Sequence, residues 1–175
     1  AKCFGVNLAR LDIRQESSRH SQLISEYVKK RFNKNYYKFS EDEKIKFLKK
    51  QIISKKRQIN NFQFKNKENK EVWSTFKILA KEPSECLGAY VISMTTSASD
   101  ILSVSFLQKE ANIKHKLRVV PLFETLDDLI NAKEIMEKLF SQSWYRRMIK
   151  NDQEVMIGYS DSCLLYTSPS PRDTG

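Results

Sequence analysis

The sequence predicts an α/β fold built on a parallel sheet, and two observations predict it. From residue 87 onward, short apolar runs alternate strictly with amphipathic helical stretches. Three apolar runs also stop abruptly at polar groups: residues 118–123 at Glu124, Val155 to Ile157 at Asp161 beyond Gly158, and Val6, Leu8, Leu11 and Ile13 at Arg14, Gln15 and Glu16. In a barrel of parallel strands wrapped by helices, chemistry sits at the carboxyl ends of the strands, so this pattern marks the chain as enzyme-like. No Gly-rich turn follows any of the runs, which argues against a dinucleotide-binding sheet.

Taken in order, residues 4–14 read as a strand and residues 17–32 as a helix with Leu23, Ile24, Tyr27, Val28 and Phe32 on one face. Ser40 followed by Glu43 forms a capping box ahead of Ile45, Leu48, Ile52 and Ile53, which predicts a helix start there. Residues 58–70, rich in Gln, Asn and Lys, read as a surface loop, and residues 72–80 as a short helix ending before Pro83. Residues 87–94 form a continuous apolar run suited to a strand buried on both faces. Asp100 opens a helix through Leu102, Phe106, Leu107 and Ala111, and residues 117–123 are the next strand. A longer helix carries Leu126, Leu129, Ile130, Met136, Leu139 and Phe140, and residues 154–158 are the last strand. This βαβαβ order implies right-handed crossovers. Periodicity does not separate an open doubly wound sheet from a closed barrel.

The 175 residues carry a formal net charge of +10, and its location matters. Residues 29–71 hold 15 Lys+Arg against 5 Asp+Glu, whereas the other positions hold 16 of each. A solvated helical face is the favoured reading of that excess. The alternative is a basic nucleic-acid-binding module on residues 29–71, with Phe32, Tyr36, Tyr37 and Phe39 interleaved, though these aromatics suit a core equally well. Cys3, Cys86 and Cys163 are odd in number, far apart and not in metal-ligand spacing. Nothing resembles a signal peptide, and no apolar run approaches the ~18–20 residues that span a bilayer, so a cytoplasmic location without membrane attachment is expected. The chain opens at Ala1 inside a strand-like stretch, as an internal piece of a longer protein would. Residues 163–175 break every earlier pattern with Ser, Thr and Pro and read as a non-native or naturally disordered tail.

The motifs Phe4-Gly5-Val6, Leu11-Asp12-Ile13-Arg14-Gln15-Glu16-Ser17 with Arg19-His20, Ala89-Tyr90-Val91-Ile92-Ser93-Met94, and the stretches 121–128 and 155–162, together resemble the phosphoenolpyruvate carboxylase family. The resemblance covers residues 3–162, least of all the basic segment, which reads as a helical insertion at 29–71. It implies a partial TIM-type β/α barrel with extra helices, cut from a larger homotetrameric enzyme. The implied reaction joins phosphoenolpyruvate and bicarbonate to give oxaloacetate and phosphate, by way of carboxyphosphate and the enolate of pyruvate, with Mg2+ or Mn2+. A related metal-dependent enzyme acting on phosphoenolpyruvate or pyruvate is a further reading.

By the same resemblance, Glu124 and Asp161 are the metal ligands and Arg14 the substrate-phosphate arginine. The chemistry suits these types: hard divalent cations prefer oxygen ligands, and a guanidinium offers a permanently charged fork to phosphate. Each has a plainer reading. Glu124 would serve as a helix N-terminal acid, Asp161 as an ordinary strand-end acid, and Arg14 as a partner of Glu16 or Asp12. His20 is expected to be packed or hydrogen-bonded, Asp127 and Asp128 to be first-turn helix acids, and His115 to lie on a loop surface. One departure stands out: Leu164 occupies the position of the family's catalytic lysine, three residues beyond Asp161. The family's histidine motif and its Gly/Arg-rich loop are also missing from these 175 residues, so the fragment is expected to be inactive.

Overall fold

The computed structural model describes residues 10–158 other than Asn60, and they form an α/β unit on one parallel sheet. In chain order the elements are β1 (Leu11–Glu16), α1 (Ser17–Phe32), α2 (Glu41–Ile53), α3 (Lys67–Leu79), β2 (Leu87–Ser93), α4 (Ala98–Glu110), β3 (Arg118–Phe123), α5 (Leu126–Phe140), α6 (Ser143–Met148) and β4 (Met156–Ile157). Short 3-10 turns occupy Tyr36–Lys38 and Ser84–Cys86. The strands lie in the order β1-β2-β3-β4, each parallel to its neighbour.

Alternation along the strands divides the core in two. Tyr90 and Ile92 on β2 and Phe123 on β3 join the large cluster shared with the helices, while Ala89, Val91, Val120 and Leu122 form a smaller cluster on the opposite face, with Met156 against it. Central strands apolar on both faces need no polar alternation, and the run at 87–94 reflects that.

The helix starts follow their caps. Ser40 N donates to Glu43 Oε2 (2.8 Å) and Glu43 N to Ser40 Oγ (3.3 Å), the reciprocal box expected for α2. Asp100 Oδ2 accepts from Thr96 N (3.1 Å) and Ser97 N (3.0 Å) at the head of α4. Helix α5 is wider in apolar sequence than in burial. Ile135 and Leu139 are buried, whereas Leu126 and Ile130 lie on its exposed side.

One reading changes. Residues 58–70 are not simply a surface loop: α3 begins at Lys67, capped by Asn66 Oδ1, which accepts from Glu68 N (2.7 Å) and Asn69 N (3.3 Å). Ile59 and Phe64 are buried, and the buried Glu110 accepts from Ile59 N (2.7 Å), which ties the segment to the end of α4. Isolated apolar residues among Gln, Asn and Lys carry no period, so they gave no signal. Helix α6, with Trp144 and Tyr145 buried, is too short to show one. Elsewhere in the basic segment, Tyr36, Ile45 and Leu48 enter the main core, while Phe32 and Tyr37 stay exposed.

His20 is buried, as expected, with Nε2 2.8 Å from the Tyr90 hydroxyl, which in turn donates to Gln15 Oε1 (2.9 Å). Burial, aided by the nearby Arg19 charge, pushes its pKa down from 6.5 to about 3. Between those values the unfolded chain binds a proton that the folded one refuses. Stability from this group is therefore complete above the upper value and falls as pH drops through the window. Acidification from about pH 7 to about pH 5 should cost about 2 kcal/mol through this side chain alone. Thermal midpoints at the two pH values should draw closer together in His20→Gln than in the unaltered protein.

Candidate active site

Arg14 stands in register with Val91 of β2, which pairs with Val120 of β3. The arginine therefore projects on the Val91 and Val120 face, while its neighbours Ile13 and Gln15 pair with Tyr90 and Ile92 on the helix-covered side. Glu124 directly follows β3. Arg14 Nη2 donates to Glu124 Oε1 at 2.8 Å, so groups 110 residues apart meet at the carboxyl end of the sheet. Their side chains are 57% and 30% exposed. A pair that open to solvent contributes at most about 1 kcal/mol to folding.

The local structure gives the cap of α5 to groups other than the Glu124 carboxylate. Helix α5 is capped by Thr125, whose Oγ1 accepts from Asp128 N (3.1 Å), while Asp128 Oδ2 accepts from Thr125 N (3.0 Å) and Glu124 N (3.2 Å). The cap is complete without the Glu124 carboxylate, and Asp128 holds the Glu124 main chain. Asp127 is an exposed first-turn acid, as expected.

Gly158 presses on Glu124 from the other side. Its N–H donates to the Phe123 carbonyl (2.8 Å), and a Cβ there would lie 2.9 Å from Glu124 Cγ and 3.0 Å from its Cα. Only a residue without a side chain permits this approach, so strand exit and carboxylate are fixed against each other. Between Arg14 and Glu124, β2 is followed by Met94 at φ 53°, a conformation uncommon for a residue with a side chain, and its carbonyl accepts from Ser17 Oγ (2.6 Å). The contributions of Gly158 and Ser17 were not singled out from sequence. A glycine leading out of a strand was legible only as a connector.

Asp161 and Leu164 lie outside the described residues. Among the described residues, no group of three or more His, Cys, Asp or Glu side chains is placed to hold a metal ion. At strand ends the described part offers the carboxylates of Glu16, the last residue of β1, and Glu124, directly after β3. Such a hard oxygen fits Mg2+ or Mn2+, which keeps several water ligands and needs few from protein. His115 is exposed on the loop between α4 and β3. A cavity of about 220 Å³ lies near the amino end of β3, lined by Gln108, Leu117, Tyr145 and Gln153 among others. Part of its polar lining is occupied: Gln108 bonds both backbone groups of Leu117, and Tyr145 donates to Gln153. No helix among the described residues is long and apolar enough to cross a membrane.

A family model described as Phosphoenolpyruvate carboxylase matches residues 1–164. Over 161 residues the chain is 50% identical to the phosphoenolpyruvate carboxylase of Aliivibrio salmonicida (strain LFI1238), covering 92% of this chain and 18% of that protein. It is 48% identical over 159 residues to the C4 phosphoenolpyruvate carboxylase of Flaveria trinervia, covering 91% and 16% respectively. The phosphoenolpyruvate carboxylase of Flaveria pringlei is 47% identical over 159 residues, with the same coverage of 91% and 16%. The chain thus spans less than a fifth of the length of these curated relatives.

Proposed function

The chain belongs to the phosphoenolpyruvate carboxylase family, and on that premise we propose that it supplies one wall of the carboxylase active site within a longer polypeptide. The reaction is the conversion of phosphoenolpyruvate and bicarbonate to oxaloacetate and phosphate. The four parallel strands are read as part of a closed β/α barrel, and the whole protein as a cytoplasmic homotetramer.

In this reading Arg14 grips the substrate phosphate, and Glu124 with Asp161 holds Mg2+ or Mn2+. A bound divalent ion supplies positive charge beside the oxygen on which negative charge develops. The residues of this chain do the rest of the positioning. Arg14 orients the phosphate through a fixed fork of donors. The Thr125–Asp128 box and Gly158 fix the Glu124 main chain, and its carboxylate, paired with Arg14 at 2.8 Å, would exchange that partner for a cation. The observation that carries the reading is the 2.8 Å meeting of Arg14 and Glu124 at the ends of parallel strands. A nucleic-acid-binding module needs neither group there, and its aromatic Tyr36 is spent in the core.

With Leu164 where the family has lysine, the 175-residue chain alone is proposed to be inactive. The test is bicarbonate-dependent release of phosphate from phosphoenolpyruvate. A full-length polypeptide carrying this segment with the family lysine should release it when Mg2+ or Mn2+ is present, and residues 1–175 should stay at background. Turnover by the short chain would refute its inactivity, and none from the long one would refute the function.

A further inference from the structure

The pairing of β1 with β2 slips once. Leu11 faces Leu87, but Ile13 faces Tyr90, so the single residue Asp12 stands opposite both Gly88 and Ala89. This is a bulge, with one extra residue on β2, and bulges in parallel sheets are rare. Its effect on side-chain direction is plain. Leu87 and Tyr90 both pack toward the helices although three residues apart, and Ala89 and Val91 face the other way. Beyond the slip, Arg14 falls opposite Val91, on the face where it meets Glu124. One more residue of slip would move it about 3.3 Å and turn it to the other face.

Two groups hold the bulge. Ala89 N donates to Asp12 Oδ1 at 2.6 Å, so a carboxylate takes the place of a ladder carbonyl. Gly88 leaves the space: a Cβ there would run directly into Asp12 Oδ1. That oxygen ends a flexible side chain and would yield, but only by giving up Ala89 N. Asp12 itself reaches neither Glu124 nor Arg14 through any hydrogen bond or ion pair among the described residues.

We propose that Asp12, with Gly88, is a positioning residue for substrate binding: it locks the β1–β2 register that delivers Arg14 to the site. The inference rests on the proposed role of Arg14 in gripping the substrate phosphate. It predicts an effect on KM that passes entirely through Arg14.

The experiment uses a full-length, active polypeptide carrying this segment. Asp12→Ala should raise KM for phosphoenolpyruvate about tenfold and change kcat less than about twofold, since a displaced Arg14 loses about one charge-assisted bond. Asp12→Asn keeps an oxygen for Ala89 N and should stay near the parent value. Gly88→Ala should reproduce Asp12→Ala while leaving the carboxylate in place, and it serves as the second route should Asp12→Ala fail to fold. In an Arg14→Gln background, Asp12→Ala and Gly88→Ala should add nothing further to KM. An unchanged KM in folded Asp12→Ala or Gly88→Ala overturns the proposal, as does a full-sized effect that persists in Arg14→Gln. If Arg14→Gln alone leaves KM unchanged, the substrate role of Arg14 fails, and that result is separate from any effect of Asp12.

Discussion

Arg14→Gln in the full-length enzyme should raise KM for phosphoenolpyruvate about 100-fold and change thermal stability hardly at all. The two magnitudes come from different physics. A guanidinium gripping phosphate makes charge-assisted hydrogen bonds of about 1.5–3 kcal/mol each, and two of them account for that factor. The same guanidinium in its pair with Glu124 is 57% exposed and contributes at most about 1 kcal/mol to folding. Arg14→Lys keeps the charge but loses the planar fork, so it should recover part of the affinity and stop about tenfold short. Steady-state kinetics with the three side chains, beside a melting curve for each, check the prediction. A large loss of stability would instead make the pair structural.

Glu124→Gln should lower kcat/KM by about 100- to 1,000-fold at fixed Mg2+ or Mn2+. The amide keeps size and one oxygen but removes the negative charge that a divalent cation requires. Removing one such stabilising group from a reacting centre typically raises the barrier by about 3–4 kcal/mol. The main chain has no freedom to compensate. Gly158 lies so close that a Cβ on it would come 3.0 Å from Glu124 Cα, and Asp128 holds Glu124 N at 3.2 Å. The helix cap is untouched, since Thr125 and Asp128 complete it, so the variant should fold normally. Partial rescue by raised metal concentration, measured as kcat/KM against Mn2+, separates lost metal affinity from general damage.

The fold was legible where one period dominated. Strands β2 and β3 are buried on both faces and read as unbroken apolar runs, and the box at Ser40 rests on side chains three residues apart. Burial at Ile59 and Phe64 was not legible, because a buried carboxylate from α4, Glu110, fixes that stretch from 51 residues away. The site was half legible. Glu124 could be picked out because β3 stops at it, whereas Arg14 lies within β1, two residues before its end, and their meeting depends on a register that no local pattern encodes. The bulge at Asp12 and Gly88 sets that register, and its signal is one acid and one glycine in different motifs. Likewise Gly158 shows why it lacks a side chain only when Glu124 lies against it.

The most direct test of the strand-end site is a titration of the full-length protein with Mn2+, following free Mn2+ by its paramagnetic resonance, for the parent and for Glu124→Gln. Loss of the tight site in the variant, with at least a tenfold weaker Kd and an unchanged melting curve, is the predicted result. An equal Kd for the two proteins would mean that Glu124 does not hold the cation, and would contradict the proposed site.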